Sequence, residues 1–182
     1  MAQEAQQKQL ITIGIIAAYT TLAFVGTTII RVPLPATGGY FNLGDTFVMV
    51  AALLHGPIIG GAVGFLGPAL SDAIGFPQFI LATALVKGVE GFVVGLVGAS
   101  RLKSDRSSLR VVMALCLGII ILVVGYYMFE AMIYPALAQS VPFFGVTDAK
   151  AALAEIVPNL LQGVLSAVIA FGIWRIFVGV RK

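Results

Sequence analysis

Six ionisable side chains stand in or beside stretches that are otherwise apolar: Asp45, Asp72, Lys87, Glu90, Glu130 and Glu155. A charge at the depth of a bilayer centre costs roughly 2.5–3.5 kcal/mol on insertion scales, so such side chains are kept there for a task. Lys87 and Glu90 are three residues apart and share a helical face. They can pair with each other or face a solute together. Glu155, Asn159 and Gln162 fall at i, i+4 and i+7 and draw one polar stripe down a helix. Five carboxylates and one ammonium do not neutralise one another, which points to a polar solute, donor-rich or cationic, between them.

The parts that catalysis would need are missing from the sequence. There is no Walker A phosphate loop, no His/Cys metal spacing and no Gly-x-Ser-x-Gly elbow. The one histidine, His55, belongs to a His55-Gly56-Pro57 turn far from the acidic residues. The one cysteine, Cys116, sits inside an apolar run, so an internal disulfide and a Cys-built metal site are both excluded. The expectation is a binding protein rather than an enzyme, with no metal and no cofactor. A formal charge of +3 gives no reason to expect nucleic acid.

Positioning these residues falls to helices. Hydrophobic residues make up 59% of the 182-residue chain and the mean hydropathy is +1.03. A soluble domain of this size cannot hide that much apolar surface. About 20 helical residues cross the ~30 Å hydrocarbon core, and the uncharged runs 10–30 and 111–129 are of that order. Proline and glycine punctuation divides the chain into six predicted helices, over 10–30, 44–54, 57–74, 79–100, 111–134 and 149–178. The second is too short to span without bilayer thinning or a re-entrant partner. Pro135 is expected to end the fifth, and Pro158 to kink the sixth. The fold class is therefore all-α: a polytopic membrane protein of six transmembrane helices, with 1–182 as a single integral membrane domain. Residues 1–9 read as a short polar tail, not a signal peptide, because the apolar run after them is too long.

Basic residues orient the chain. With the N-terminus in the cytoplasm, the inner side carries Lys8, Arg101, Lys103, Arg106, Arg110, Arg175, Arg181 and Lys182. The outer side carries Arg31 and Lys150. The positive-inside rule then places both termini in the cytoplasm. On this threading every intramembrane charge lies in the outer half or near the midplane. The loop 31–43, with Tyr40, Phe41 and Asn42 beside Gly38 and Gly39, lies over them as interface anchors or as a lid. Tyr126, Tyr127, Tyr134, Phe143 and Phe144 make a second aromatic wall on the outer side.

Small residues recur at helical spacing. Gly60-x-x-x-Gly64 and Gly91-x-x-x-Gly95 allow the third and fourth helices to pack closely. Gly14-x-x-x-Ala18 is a similar stripe toward the cytoplasmic end of the first helix, facing an internal neighbour or a partner subunit.

Three blocks carry a family resemblance: Gly39-Tyr40-Phe41-Asn42-Leu43-Gly44-Asp45, then His55-Gly56-Pro57 with Gly60-Gly61-x-x-Gly64-x-x-Gly67 and Ser71-Asp72, then Thr83-x-x-x-Lys87-Gly88-x-Glu90-Gly91. Together they resemble the substrate-binding S component of energy-coupling factor (ECF) transporters, in the riboflavin-type branch with its hydroxymethylpyrimidine and pyridoxine relatives. The resemblance implies a multi-pass subunit in the cell membrane that captures a vitamin or vitamin precursor from outside. It implies a transmembrane T component and two cytoplasmic ATPases as partners. It also implies that Gly14 and Ala18 face the T component, and that the pocket is built from the first outer loop and helices 4 to 6. With the charged cluster, this makes Tyr40, Asn42, Asp45, Asp72, Lys87, Glu90, Glu130, Glu155, Asn159 and Gln162 the candidate substrate-binding residues. The competing reading is a self-sufficient ion-coupled permease using Glu90 and Glu155, against which the lack of a visible inverted repeat counts.

Overall fold

The structure is a computed structural model that describes residues 2–35, 38–99, 107–145 and 147–180. Helix α1 spans Ala2–Ile29. It begins eight residues earlier than the apolar run, because the Ala, Gln, Glu and Lys residues of 2–9 are strong helix formers. The loop expected over 31–43 holds a small antiparallel hairpin, β1 (Val32–Leu34) and β2 (Gly39–Phe41), which pairs Pro33 with Tyr40. The remaining described elements are helical, consistent with the all-α expectation. Gly38, at φ +71°, turns the chain and donates its N–H to the Leu34 carbonyl at 3.0 Å.

Helices α2 (Gly44–His55), α3 (Pro57–Gly75) and α4 (Ile80–Gly98) follow with short breaks at Gly56 and at the 3₁₀ turn Pro77–Phe79. Then come α5 (Ser108–Met128), a π-helical segment Phe129–Ile133, α6 (Tyr134–Ala138), the 3₁₀ turn Pro142–Phe144 and α7 (Ala149–Val180). Pro135 does not end the fifth helix. It sits in the first turn of α6, directly after the π segment, and the helical stretch runs on to Ala138. Pro158 lies within α7, which continues through it.

Among the described residues, five helical stretches are long and apolar enough to cross a membrane: Ala2–Ile29, Pro57–Gly75, Pro77–Gly98, Ser108–Ala138 and Ala149–Val178. Helix α2 is shorter, at 12 residues, and is buried in the bundle. It packs on α1, α3, α4 and α7, and Val48 through Leu53 are all buried. Its backbone is therefore sheltered by protein instead of lipid. The outward surface is apolar: Ile58 and Ile74 are each 70% exposed. The charged groups within the apolar segments, Asp45, Asp72, Lys87, Glu90, Glu130 and Glu155, are inside. This is the reverse of a soluble domain and the arrangement a bilayer favours.

Helices α3 and α4 meet backbone to backbone. A Cβ on Gly60 would stand 2.6 Å from the Gly91 carbonyl oxygen and 2.6 Å from the Ala52 Cβ. The small-residue stripes thus bring α3 against both α4 and α2. Gly14 and Ala18, by contrast, are exposed, and a Cβ on Gly14 would meet nothing within 4 Å. Arg101, Lys103, Arg106, Arg181 and Lys182 of the basic set lie outside the described residues.

Candidate binding site

Beneath the hairpin, side chains from the hairpin, α3, α4, α5, the π segment and α7 converge on a cavity of about 30 Å³, room for about two water molecules. Tyr40 and Asn42 line it from the hairpin side, Asp72 from α3 and Lys87 from α4. Glu130 comes from the π segment, and the stripe Glu155, Asn159 and Gln162 from α7. Asp45 and Glu90, the other two candidates, are both fully buried and do not line it.

The hairpin is latched. The Tyr40 ring lies 5.0 Å from the Arg31 guanidinium and 4.5 Å from the centre of the Phe76 ring. Its hydroxyl donates to Asp72 Oδ1 in a very short hydrogen bond. Burial, and next the neighbouring Asp72 charge, push the Tyr40 phenol well above its ordinary range, so it stays a donor. Arg31 Nη2 in turn donates to the Ser71 carbonyl at 2.8 Å and the Ser71 hydroxyl at 2.5 Å. The sequence placed Arg31 only as an outer charge; its role appears when the end of α1 packs on α3.

The floor is a polar knot. Lys87 Nζ forms a buried ion pair with Asp45 Oδ1 instead of pairing with Glu90. The local i, i+3 spacing loses to the packing of α2 on α4, which brings Asp45 to the ammonium. Gln162 Nε2 donates to Asp45 Oδ2 at 2.7 Å, and Gln162 Oε1 accepts from the Asn42 backbone N–H at 2.7 Å. Asn42 Oδ1 accepts from Gly44 N at 2.9 Å, which fixes the entry to α2. Gln162 and Asn42 therefore tie α7, the hairpin and α2 together as well as facing the cavity. Glu90 has no hydrogen-bond partner for either carboxyl oxygen among the described residues.

Phe79, Thr83 and Tyr126 also line the cavity and were not among the candidates. Spacing held the signal for two of them. Thr83 is one turn before Lys87, and Tyr126 one turn before Glu130, each on its partner's face. Their hydroxyls meet at 3.0 Å across α4 and α5. The second aromatic wall is present in part: Tyr134 is fully buried, stacks on Phe144 at 5.6 Å and accepts from Ala82 N at 3.3 Å, while Phe143 is exposed.

Residues 4–177 match the family model described as the ECF-type riboflavin transporter, S component. The chain belongs to that family. A solved chain described as the S component of a bacterial ECF transporter superposes with a TM-score of 0.63 at 20% identity, covering 97% of this chain and 99% of that one. That likeness shows the fold. An uncharacterized protein from Pyrococcus woesei is 39% identical over 110 residues, 60% of this chain and 72% of its own length. A UPF0397 protein from Lactobacillus johnsonii is 36% identical over 92 residues, 50% of this chain, and the match spans 48% of that relative's length. Family membership makes this ECF S component a substrate-binding transporter subunit, and its apolar helices make it a multi-pass membrane protein.

Proposed function

We propose that this S component captures a vitamin or vitamin precursor, a small ring-containing solute, at the outer face of the cell membrane. It delivers the solute through a T component powered by two cytoplasmic ATPases. The observation that carries the reading is a polar cavity lined by intramembrane Asp72, Lys87, Glu130 and Glu155 under a latched hairpin. Tyr40, Asn42, Asn159 and Gln162 complete its polar lining, and Asp45 holds Lys87 in place. Six spans, with α2 as the short one, put both termini in the cytoplasm and the hairpin outside. The cavity is too small for a ring as it stands, so capture requires the Tyr40–Asp72 latch to open. Ala18 and Gly14 lie about 20 and about 25 Å along α1 from Arg31 at the hairpin. That distance suits a docking face for the T component, separate from the solute.

The competing ion-coupled permease draws on Glu90, whose buried carboxyl lacks a hydrogen-bond partner among the described residues. Mass spectrometry of the purified subunit tests the capture reading. It predicts a ring-containing vitamin or precursor, released on denaturation in near-equal amount to the protein. Lipid alone, or no solute after growth in rich medium, contradicts it.

A further inference from the structure

The charges around the cavity separate into a balanced and an unbalanced set. Lys87 is bound to Asp45, and Arg31 lies within electrostatic reach of Asp72, whose carboxyl also accepts from the Tyr40 hydroxyl. Among the described residues, Glu130 and Glu155 have no such cation. They are 2% and 4% exposed and stand beside each other across the π segment and α7. Two buried carboxyls this close cannot both hold a negative charge without a proton or a cation between them. Glu130 Oε2 and Glu155 Oε1 are buried without a hydrogen-bond partner among the described residues, although buried acceptors are nearly always satisfied. Both side chains line the cavity. The backbone adds an independent sign. Glu130 sits in the five-residue π segment, a widened turn that is rare and concentrates at functional sites.

We propose that the Glu130–Glu155 pair recognises a planar organic monocation of the amidinium or protonated amino-heterocycle type. Two neighbouring N–H groups of that cation donate to the two free carboxyl oxygens. The proposal rests on the capture reading and narrows it to a substrate class. A positive charge on the solute compensates the carboxylate charge that the pair cannot otherwise hold, and two donors match two acceptors. Phe79 and Tyr126, on the walls of the same cavity, offer faces for a flat cationic ring. Riboflavin presents a single ring N–H between two carbonyls and no positive charge. Its ring satisfies at most one of the two oxygens and sets carbonyls against carboxyl oxygens, its other donors being the hydroxyls of the flexible ribityl chain.

The test uses the full chain in lipid nanodiscs and four probes by titration calorimetry: benzamidine and 2-aminobenzimidazole as cations, benzamide and riboflavin as neutral compounds. The two cations are expected to bind about tenfold or more tighter than benzamide, the loss that follows when a charged hydrogen bond is withheld. The preference is expected to disappear in the Glu130→Gln/Glu155→Gln double variant. Gln keeps the shape of each side chain and can donate within the pair, so folding is read separately from the melting curve. If the double variant does not fold, the wild-type ranking decides alone. Benzamide or riboflavin binding as tightly as the cations overturns the proposal, as does a preference that survives the double variant. Silence from all four probes overturns it as well. Tight riboflavin binding would leave the capture reading standing while the cation proposal falls, which separates the two failures.

Discussion

Replacing Lys87 by Met removes the ammonium from a pair in which Lys87 is 1% and Asp45 0% exposed. Among the described residues, Asp45 then keeps the Gln162 amide at 2.7 Å as its side-chain donor. Breaking a buried pair on one side costs about 3–5 kcal/mol, because the remaining charge stays buried and uncompensated. Even the lower figure changes the unfolding equilibrium more than a hundredfold. Removing both charges is far milder, so Lys87→Met/Asp45→Asn is expected to recover to within about 2 kcal/mol of wild type. The rescue is specific to the partner. Lys87→Met/Glu90→Gln is expected to show no recovery, since Glu90 does not pair with the lysine. Reversible unfolding in mixed micelles, followed by fluorescence of the single, buried Trp174, reads all four proteins without solute. Rescue by Glu90→Gln and not by Asp45→Asn would refute the pairing. A Lys87→Met variant within about 1 kcal/mol of wild type would refute the burial argument.

Three further outcomes are expected. Gly60→Ala forces a Cβ to 2.6 Å from the Gly91 carbonyl and should cost about 1–3 kcal/mol by the same assay, whereas Gly14→Ala, with nothing within 4 Å, should cost nothing. Equal effects would mean that α3 and α4 are not in backbone contact. Tyr40→Phe removes the hydroxyl donor to Asp72 and should raise amide exchange across residues 39–42 by about tenfold, for a lost charged hydrogen bond. Unchanged protection would mean that the latch does not hold the hairpin. Gly14→Leu/Ala18→Leu should leave solute binding intact and abolish uptake with the T component and ATPases, because close helix contact in lipid needs small residues. Full uptake would mean that this face looks at lipid.

The helices were legible because a bilayer makes them so. Lipid demands long apolar runs with satisfied backbones, and Gly56, Pro57, Gly75 and Pro77 mark the breaks between α2, α3 and α4. The cavity was legible for the same reason: Asp72, Lys87, Glu130, Glu155 and Gln162 are conspicuous against that background. What escaped depends on tertiary packing. The strands of the hairpin are three residues each, too short for an alternating pattern, and Tyr40 is held by Arg31, Phe76 and Asp72 from distant parts of the chain. The π segment has no local signature, because its widened turn leaves the residue types unchanged. Lys87 offered Glu90 as a neighbour in sequence, while Asp45 approaches only when α2 is buried in the bundle. Asp45 and Glu90 looked like cavity residues for want of that same information.

The most direct test of the central claim is reconstitution into proteoliposomes of the S component alone and of the S component with its T component and two ATPases. Uptake of the solute identified by mass spectrometry is followed with and without ATP and with an imposed proton or sodium gradient. The account predicts binding by the S component alone, and accumulation only with the full complex and ATP. Accumulation by the S component alone, driven by an ion gradient and lost in Glu90→Gln, would contradict it.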